Sequence, residues 1–177
     1  MMHKTNDTSY AEDESVQVFE LPYKGDEVSM VILLPKQKDR LAEIEKALTH
    51  KSLQGYLHAL EIKKVVVCLP RFTMTCEFSL NEQLRLLGMV DAFDPMRVDF
   101  TRMSQTKGKE LYISAVVHKA FVDVNEEGTE AAAATAVAQH ASMSEQILFC
   151  ADHPFLFFIR HKATDSILFM GRLADPS

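Results

Sequence analysis

The segment Val124–Gln139, VNEEGTEAAAATAVAQ, most constrains what this chain can fold into. Four consecutive alanines follow an acidic stretch that contains one glycine, and alanine has the highest helix propensity of all residues. The preceding segment, LYISAVVHKAFVDV, instead has the apolar alternation of a β-strand. Taken by itself, the composition favours an alanine-rich helix or linker, and the surrounding sequence must decide between this interpretation and others.

The overall composition is typical of one globular domain. The chain has 177 residues, of which 47% are hydrophobic and 25% are charged. The net charge of −6, with no cluster of Lys and Arg, argues against nucleic acid and anionic membranes as partners. No apolar run reaches the length of a transmembrane helix, and residues 1–15 lack the apolar core of a secretory signal.

The chain lacks the motifs of common metal and catalytic sites. Cys68, Cys76 and Cys150 are widely spaced and show no zinc-site pattern, so we interpret them as small buried hydrophobic residues. No GxSxG, P-loop, HExxH or GxGxxG motif occurs. The acidic pair Glu126 and Glu127 is interpreted as part of a solvated loop. We therefore expect no metal, no cofactor and no enzymatic activity.

The histidines also favour structural roles. Asp152 and His153 are adjacent, and adjacent strand residues point to opposite faces of a sheet. We therefore interpret them as a strand entry before Pro154 and not as a catalytic base with its orienting partner. His118 lies on an apolar strand and is expected to be a hydrogen-bonded histidine of the core.

Strand-like runs outnumber helical runs, which predicts an α+β fold with antiparallel sheets. A hairpin is expected where the turn Tyr23–Asp26 joins two apolar runs. Helical spacing extends from Leu41 to Leu60, and a short helix follows Ser79, with Ser79 and Glu82 as its capping box. The predicted strands are Val16–Leu21, Val28–Leu34, one around Val65–Val67, one from Phe72 to Phe78, a long one over Leu111–Val124, and two near the C-terminus joined by residues 160–166.

Two motifs carry a resemblance to the serpin family. NEEGTEAAAATA, Asn125–Ala136, resembles the hinge of inhibitory serpins, and FCADHPFLFFI, Phe149–Ile159, resembles the family signature. Supporting matches such as VILLP, LPRF and AVVHKAF occur in family order and spacing. The C-terminal motif is most similar to the ovalbumin-like branch, and ILFMGR is also similar to neuroserpin-like members. By this resemblance the structural residues of the family are matched by His118, Asp152, His153, Pro154 and Phe155.

The resemblance covers residues 1–177 but corresponds only to the C-terminal half of the family. It implies the C-terminal portion of the serpin fold, with antiparallel and mixed β-sheets, a few short helices and an exposed reactive-centre loop at about residues 126–148. It also implies that the helical N-terminal half and several strands of the central sheet are absent.

The resemblance implies a function for the alanine segment. By resemblance, a protease cleaves the exposed loop, whose N-terminal part then inserts as a strand into the central sheet. Such a segment needs a pivot, which Gly128 provides, and no proline. The matching hinge residues are Glu126, Glu127, Gly128, Thr129, Glu130, Ala131, Ala132, Ala133, Ala134 and Thr135.

Alternation along the hinge separates small from charged side chains. Glu130 falls on one face, and the other face holds only small, uncharged residues, which can be buried without an unpaired charge. The residues of this second face are Thr129, Ala131, Ala133, Thr135 and Val137.

The nearly fixed hinge length of the family, counted from Glu126, places the reactive bond at Ser142–Met143. A shift by one residue gives Met143–Ser144. No Arg or Lys lies between Glu126 and Phe149, so the resemblance favours an elastase- or chymotrypsin-like serine protease as target.

Two functions are compatible with these observations. The first is a serpin that inhibits a serine protease by loop cleavage and insertion. The alternative is a truncated, non-inhibitory serpin fragment that binds a partner or associates with itself through open sheet edges. The resemblance implies an extracellular location, or a cytoplasmic one for the ovalbumin-like branch.

Overall fold

The computed structural model describes residues 1–104, 108, 111–125 and 147–176. The chain forms two compact units, one of Met1–Phe72 with Val124–Ser177 and one of Thr73–Asp123. The strands are β1 (Met2–Glu12), β2 (Val16–Pro22), β3 (Val28–Pro35), β4 (Glu61–Leu69), β5 (Phe72–Ser79), β6 (Val117–Val124), β7 (Ile147–Cys150), β8 (Phe155–His161) and β9 (Ser166–Leu173). The helices are α1 (Leu41–Ala47), α2 (His50–His58) and α3 (Asn81–Leu86), with a 3-10 turn at Asp91–Phe93.

The first unit is built on a seven-stranded mixed sheet. Its strand order is β7-β4-β1-β2-β3-β8-β9, with β4 and β7 parallel and every other neighbouring pair antiparallel. This arrangement, together with the few short helices, confirms the predicted α+β class. The predicted C-terminal pair of strands is in fact three strands, because residues 151–154 separate β7 from β8.

The predicted hairpin between β2 and β3 is present. Tyr23 N–H donates to Val28 O at 2.9 Å, and Asp26 N–H donates to Tyr23 O at 3.0 Å. Gly25 and Asp26 have φ values of 94° and 60°. Such left-handed conformations suit glycine and are tolerated by aspartate, which explains why this pair makes the turn.

Helices α1 and α2 cover one face of the sheet. Their apolar residues, repeated at helical spacing, pack in a cluster with residues of β1, β2, β3 and β8. The helices are separated at Leu48 and Thr49, where Thr49 and Ser52 form a capping box. The buried members of the cluster are Ala11, Val16, Val18, Val31, Leu33, Leu41, Leu53, Leu156 and Phe158.

Aromatic side chains fill part of the opposite face. The rings of Phe19 and Phe149 have centroids 5.0 Å apart, and Phe72 lies 6.0 Å from Phe155 and 5.7 Å from Phe157. Four of these five rings are fully or almost fully buried, Phe72 being half-buried. Burial on both faces explains why β3 and β8 are continuous apolar runs and not alternating ones.

The second unit contains a two-stranded sheet of β5 and β6. Thr73 contacts Asp123, Glu77 contacts Lys119, and Phe78 contacts His118. As residue numbers rise along β5, those of the partners on β6 fall by the same amount. The two strands are therefore antiparallel.

Two details of the second unit differ from the prediction. β6 begins at Val117, so the expected strand over Leu111–Val124 is shorter than predicted. The expected capping box of α3 is wrong, because Leu80 occupies the N-cap position without a side-chain cap. Asn81 instead uses its side chain to accept from Val116 N–H at 2.7 Å and to donate to Ser114 O at 3.1 Å. This cross-link holds the start of α3 to the segment that precedes β6.

Across the described ranges, no helix combines the length and the apolar character needed to cross a lipid bilayer.

Candidate functional site on either side of residues 126–146

The predicted hinge, Glu126–Thr135, and the predicted reactive bonds among Ser142, Met143 and Ser144 lie outside the described residues. The structure describes the strands that hold the two ends of this segment. β6 ends at Val124, two positions before the hinge, and β7 begins at Ile147. These two attachment points are the described part of the candidate site.

β6 is attached to β5 along its length. Thr73 Oγ1 donates to Asp123 Oδ1 at 3.1 Å near the end of β6, and Lys119 Nζ lies 3.5 Å from Glu77 Oε2. In the part of the chain that the structure describes, β5 is the one strand that pairs with β6. The second edge of β6 thus has no strand neighbour among these residues.

His118 corrects the prediction of a core histidine. It is exposed on β6, and its ring lies 5.3 Å from the ring of Phe78. Val117 and Phe121 on the same strand are each 62% exposed. The apolar alternation predicted a buried face, but a face becomes buried only where a second layer covers it, and sequence periodicity does not report that layer.

β7 is attached on one side to β4. The parallel register pairs Ile147 with Val65 and continues to Cys150 with Cys68. Phe149 is fully buried against Phe19. These contacts make β7 a short but anchored edge strand.

Asp152 and His153 correct a second prediction, because they do form a hydrogen-bonded pair. His153 Nδ1 lies 2.6 Å from Asp152 Oδ1, and Lys38 Nζ lies 2.7 Å from Asp152 Oδ2. The pair is not on a strand, since β8 begins only at Phe155. The rule that neighbours point to opposite faces therefore does not apply.

The groups around Asp152 and His153 lower the pKa of Asp152 and contact both ring nitrogens of His153. Neither nitrogen is left to act as a catalytic base. The hydrogen bonds from His153 and then Lys38 lower the pKa of Asp152 to about 2. The other ring nitrogen of His153, Nε2, lies 2.6 Å from Pro35 O and is buried. Both nitrogens are thus occupied, and His153 links the start of β8 to the end of β3.

Pro154 and Phe155 occupy the positions expected for a strand entry. Phe155 is the first residue of β8 and is fully buried. Proline at the preceding position costs no ladder hydrogen bond, because the strand has not yet begun.

The pairing of the strands brings together several residues that no sequence motif predicted to be neighbours. Gln17 of β2 donates from Nε2 to Leu148 O of β7 at 3.1 Å. His3, Cys68 and Cys150 occupy paired positions on three adjacent strands. Within the described ranges, no group of three or more His, Cys, Asp or Glu side chains could hold a metal ion.

Comparison with known proteins identifies the family. The family model described as Serpin (serine protease inhibitor) matches residues 1–176. The chain belongs to the serpin family. Human Serpin B8 is 51% identical over 170 residues, which cover 94% of this chain and 45% of that protein. Human leukocyte elastase inhibitor is 46% identical over 174 residues, and these cover 94% of this chain and 45% of the relative.

The structural comparison agrees with the sequence comparison. The crystal structure of native protease nexin-1 with heparin superposes with a TM-score of 0.80 at 30% identity, covering 98% of this chain and 45% of that chain. This serpin chain therefore spans less than half the length of the relatives it matches. The description of the matching family model is that of a serine protease inhibitor.

Proposed function

We propose that this serpin chain inhibits a serine protease. The protease cleaves one bond within residues 126–148, and the hinge then inserts as a strand beside β6. The observation that carries the proposal is the position of the hinge. It begins two residues after Val124, at the end of a strand whose second edge has no strand neighbour in the described ranges. An unpaired edge offers the N–H and C=O groups that an added strand needs.

The chain direction at Val124 favours this insertion. A segment that reverses after β6 runs antiparallel to it, as in a hairpin, so the hinge can reach the free edge without a crossover connection. The required pivot is Gly128. If about a dozen inserted residues each gain about 1 kcal/mol from hydrogen bonds, insertion stabilises the chain by roughly 10 kcal/mol.

The proposed reactive bond is Ser142–Met143, with Met143–Ser144 as the alternative. Residues of this size and polarity suit the pocket of an elastase- or chymotrypsin-like protease, and the segment offers no Arg or Lys to a trypsin-like one. The name of leukocyte elastase inhibitor, a relative at 46% identity, supports the same target class.

Complex formation with protease tests the proposal. The chain is mixed with elastase or chymotrypsin and analysed for a covalent complex that resists SDS. We expect a complex with the unmodified chain and its loss in Thr129→Arg, whose charge would enter the inserted face. Glu130→Arg is the matched control, since its side chain falls on the outer face and the complex should persist. Cleavage of the unmodified chain without any complex would contradict inhibition by this chain.

A second candidate function is self-association of the chain through its sheet edges. β9 is an edge strand of the seven-stranded sheet, and four consecutive apolar residues on it are exposed: Ile167, Leu168, Phe169 and Met170. An exposed apolar edge favours pairing with a second copy of the same strand. Size-exclusion chromatography over a range of concentrations tests this, with Met170→Lys expected to shift the chain towards monomer. A monomer at every concentration would count against it.

We propose an extracellular location on the basis of the family resemblance, with the cytoplasm as the alternative for a member of the ovalbumin-like branch. Detection of the native protein in cell fractions and in medium separates the two.

A further inference from the structure

Three neighbouring strands place His3, Cys68 and Cys150 in one row across the first unit's sheet. The register pairs His3 of β1 with Cys68 of β4, and Cys68 with Cys150 of β7. Residues in register on adjacent strands point to the same face of a sheet. The three side chains therefore stand side by side, with Cys68 in the middle.

The contacts within the row differ on its two sides. His3 Nδ1 lies 3.1 Å from Cys68 Sγ, within hydrogen-bond distance for sulfur. On the other side, burial and a side-chain hydrogen bond with Cys68 raise the pKa of the Cys150 thiol to about 11. Cys150 is thus a protonated thiol beside Cys68, and both cysteines are free.

The strand geometry allows a covalent bond between the two sulfurs. Neighbouring strands lie about 4.8 Å apart, and a disulfide requires Cα atoms about 4.4–6.8 Å apart. These two spacings overlap, so the paired positions of Cys68 and Cys150 are suited to a disulfide. Cys68 itself is buried at 5% exposure, but its two neighbours in the row, Cys150 and His3, are half-buried and exposed, so a small oxidant reaches Cys68 between them.

We propose that Cys68 and Cys150 are a peroxide-sensitive thiol pair that forms a disulfide, with Cys68 as the reacting thiol and His3 as its base. His3 accepts the proton of Cys68, and the thiolate attacks hydrogen peroxide, which gives a sulfenic acid on Cys68 and, with the returned proton, water. The sulfur of Cys150 then attacks the sulfenic sulfur, and its proton leaves with the hydroxyl group as a second water. Two thiols and one peroxide thus give one disulfide and two waters.

The disulfide would hold β7, the strand that follows residues 126–146, in its place in the sheet. β7 has four residues and pairs with one strand, β4, in the described part of the chain. A bond from Cys150 to Cys68 would fasten β7 to β4 covalently and oppose its local opening. This redox chemistry is independent of protease inhibition, so either proposal can fail while the other stands.

Peptide mapping of the full chain tests the disulfide. The reduced chain is treated with one equivalent of hydrogen peroxide, digested without reductant and analysed by mass spectrometry. We expect the loss of two hydrogen atoms, a cross-linked peptide pair containing Cys68 and Cys150, and an unmodified Cys76. Preferential oxidation of Cys76, cross-links between separate chains, or a sulfinic acid at Cys150 without a cross-link would each overturn the proposal.

Variants separate the roles within the row. Cys150→Ser should stop the reaction at a sulfenic acid on Cys68, which a diketone reagent traps, whereas Cys68→Ser should give no trapped product. His3→Gln should slow cross-linking at neutral pH by about tenfold or more, because it removes the proton acceptor. Cys76→Ser is the control and should react at the unmodified rate. An unchanged rate in His3→Gln would overturn the role of His3.

Discussion

Thr73 and Asp123 are joined by a side-chain hydrogen bond of 3.1 Å, one residue before β6 ends at Val124. This bond fastens the end of β6 to β5, next to the start of the proposed hinge. The edge of β6 that faces away from β5 is the edge on which strand insertion is proposed. Main-chain groups along this edge are what an added strand would bind.

The ion pair between Arg160 and Glu20 should be a large contributor to stability of the first unit. The two side chains are 12% and 7% exposed, with Arg160 Nη2 2.8 Å from Glu20 Oε1, and Ser29 Oγ donates to the same oxygen at 2.6 Å. Arg160→Met would leave the Glu20 charge buried without its cation. We expect a loss of about 3–5 kcal/mol in the free energy of unfolding by urea.

The matched control for that variant is Arg172→Met. Arg172 of the adjacent strand β9 lies 3.3 Å from Glu45 of α1, and these side chains are 53% and 32% exposed, far more than those of the Arg160 pair. Exposed pairs are screened by water, so the expected loss is below about 1 kcal/mol. Equal losses in the two variants would show that burial does not determine the contribution of the Arg160 pair.

Two glycine substitutions should have opposite effects on stability. A Cβ on Gly171 would overlap the ring of Phe157, which is buried and packs against Phe72. Gly171→Ala should therefore cost about 1–3 kcal/mol in the free energy of unfolding through overpacking.

Gly55 is exposed in α2, and a Cβ there meets nothing within 4 Å. Gly55→Ala should stabilise the chain by about 0.5–1 kcal/mol. Thermal unfolding measures both, and a stabilised Gly171→Ala variant would contradict the packing described.

The two histidines named by the family resemblance should differ in their importance for stability. His153 is buried and contacts both Asp152 and Pro35 O, so His153→Ala removes two hydrogen bonds and leaves a buried carbonyl unpaired. We expect a loss of about 2–3 kcal/mol in urea unfolding. His118 is exposed, and His118→Ala should change stability by about 0.5 kcal/mol or less. The reverse order would show that His118 is buried in solution.

The contribution of Asp152 should be lost at acid pH. Its pKa is about 2 in the folded chain, against an ordinary value of 3.8, so the folded state favours the ionised form. The resulting stability is fully present above about pH 4 and disappears as the pH falls through the folded value of about 2. Because the side chain is 42% exposed, the effect should not exceed about 1 kcal/mol.

The comparison of Asp152→Asn with the unmodified chain measures this effect. The difference in unfolding free energy should be constant from about pH 6 to pH 4 and then shrink towards zero near pH 2. Glu14→Gln, a substitution at an exposed turn position, controls for the general change in net charge. A difference that grows on acidification would contradict the assigned direction.

The sequence predicted most of the elements because their signals are local. The turn at Gly25 and Asp26 is encoded by residues that tolerate positive φ, and the helical spacing from Leu41 to Leu60 predicted both helices on the sheet. The arrangement of these elements was predicted from the resemblance to the serpin family, which the comparisons confirm. The hinge and the reactive bond remain predictions, since residues 126–146 lie outside the described ranges.

The errors arose where the structure depends on partners distant in sequence. His118 is exposed because no element of the described chain covers its side of the sheet, and strand alternation cannot reveal a missing layer. Asp152 and His153 meet because the chain bends before β8, and the acceptor at Pro35 O lies far away in sequence. The row of His3, Cys68 and Cys150 depends on the register of three strands, which no spacing rule gives.

Hydrogen exchange of β6 before and after protease cleavage tests the central claim most directly. Cleavage within residues 142–144 by elastase or chymotrypsin should slow the exchange of those β6 amides that point away from β5, together with amides of the hinge, because the inserted strand supplies their acceptors. Thr129→Arg, cleaved in the same way, should show no such protection. If the cleaved unmodified chain exchanges at β6 as fast as the intact chain does, the hinge does not insert beside β6 and the account is contradicted.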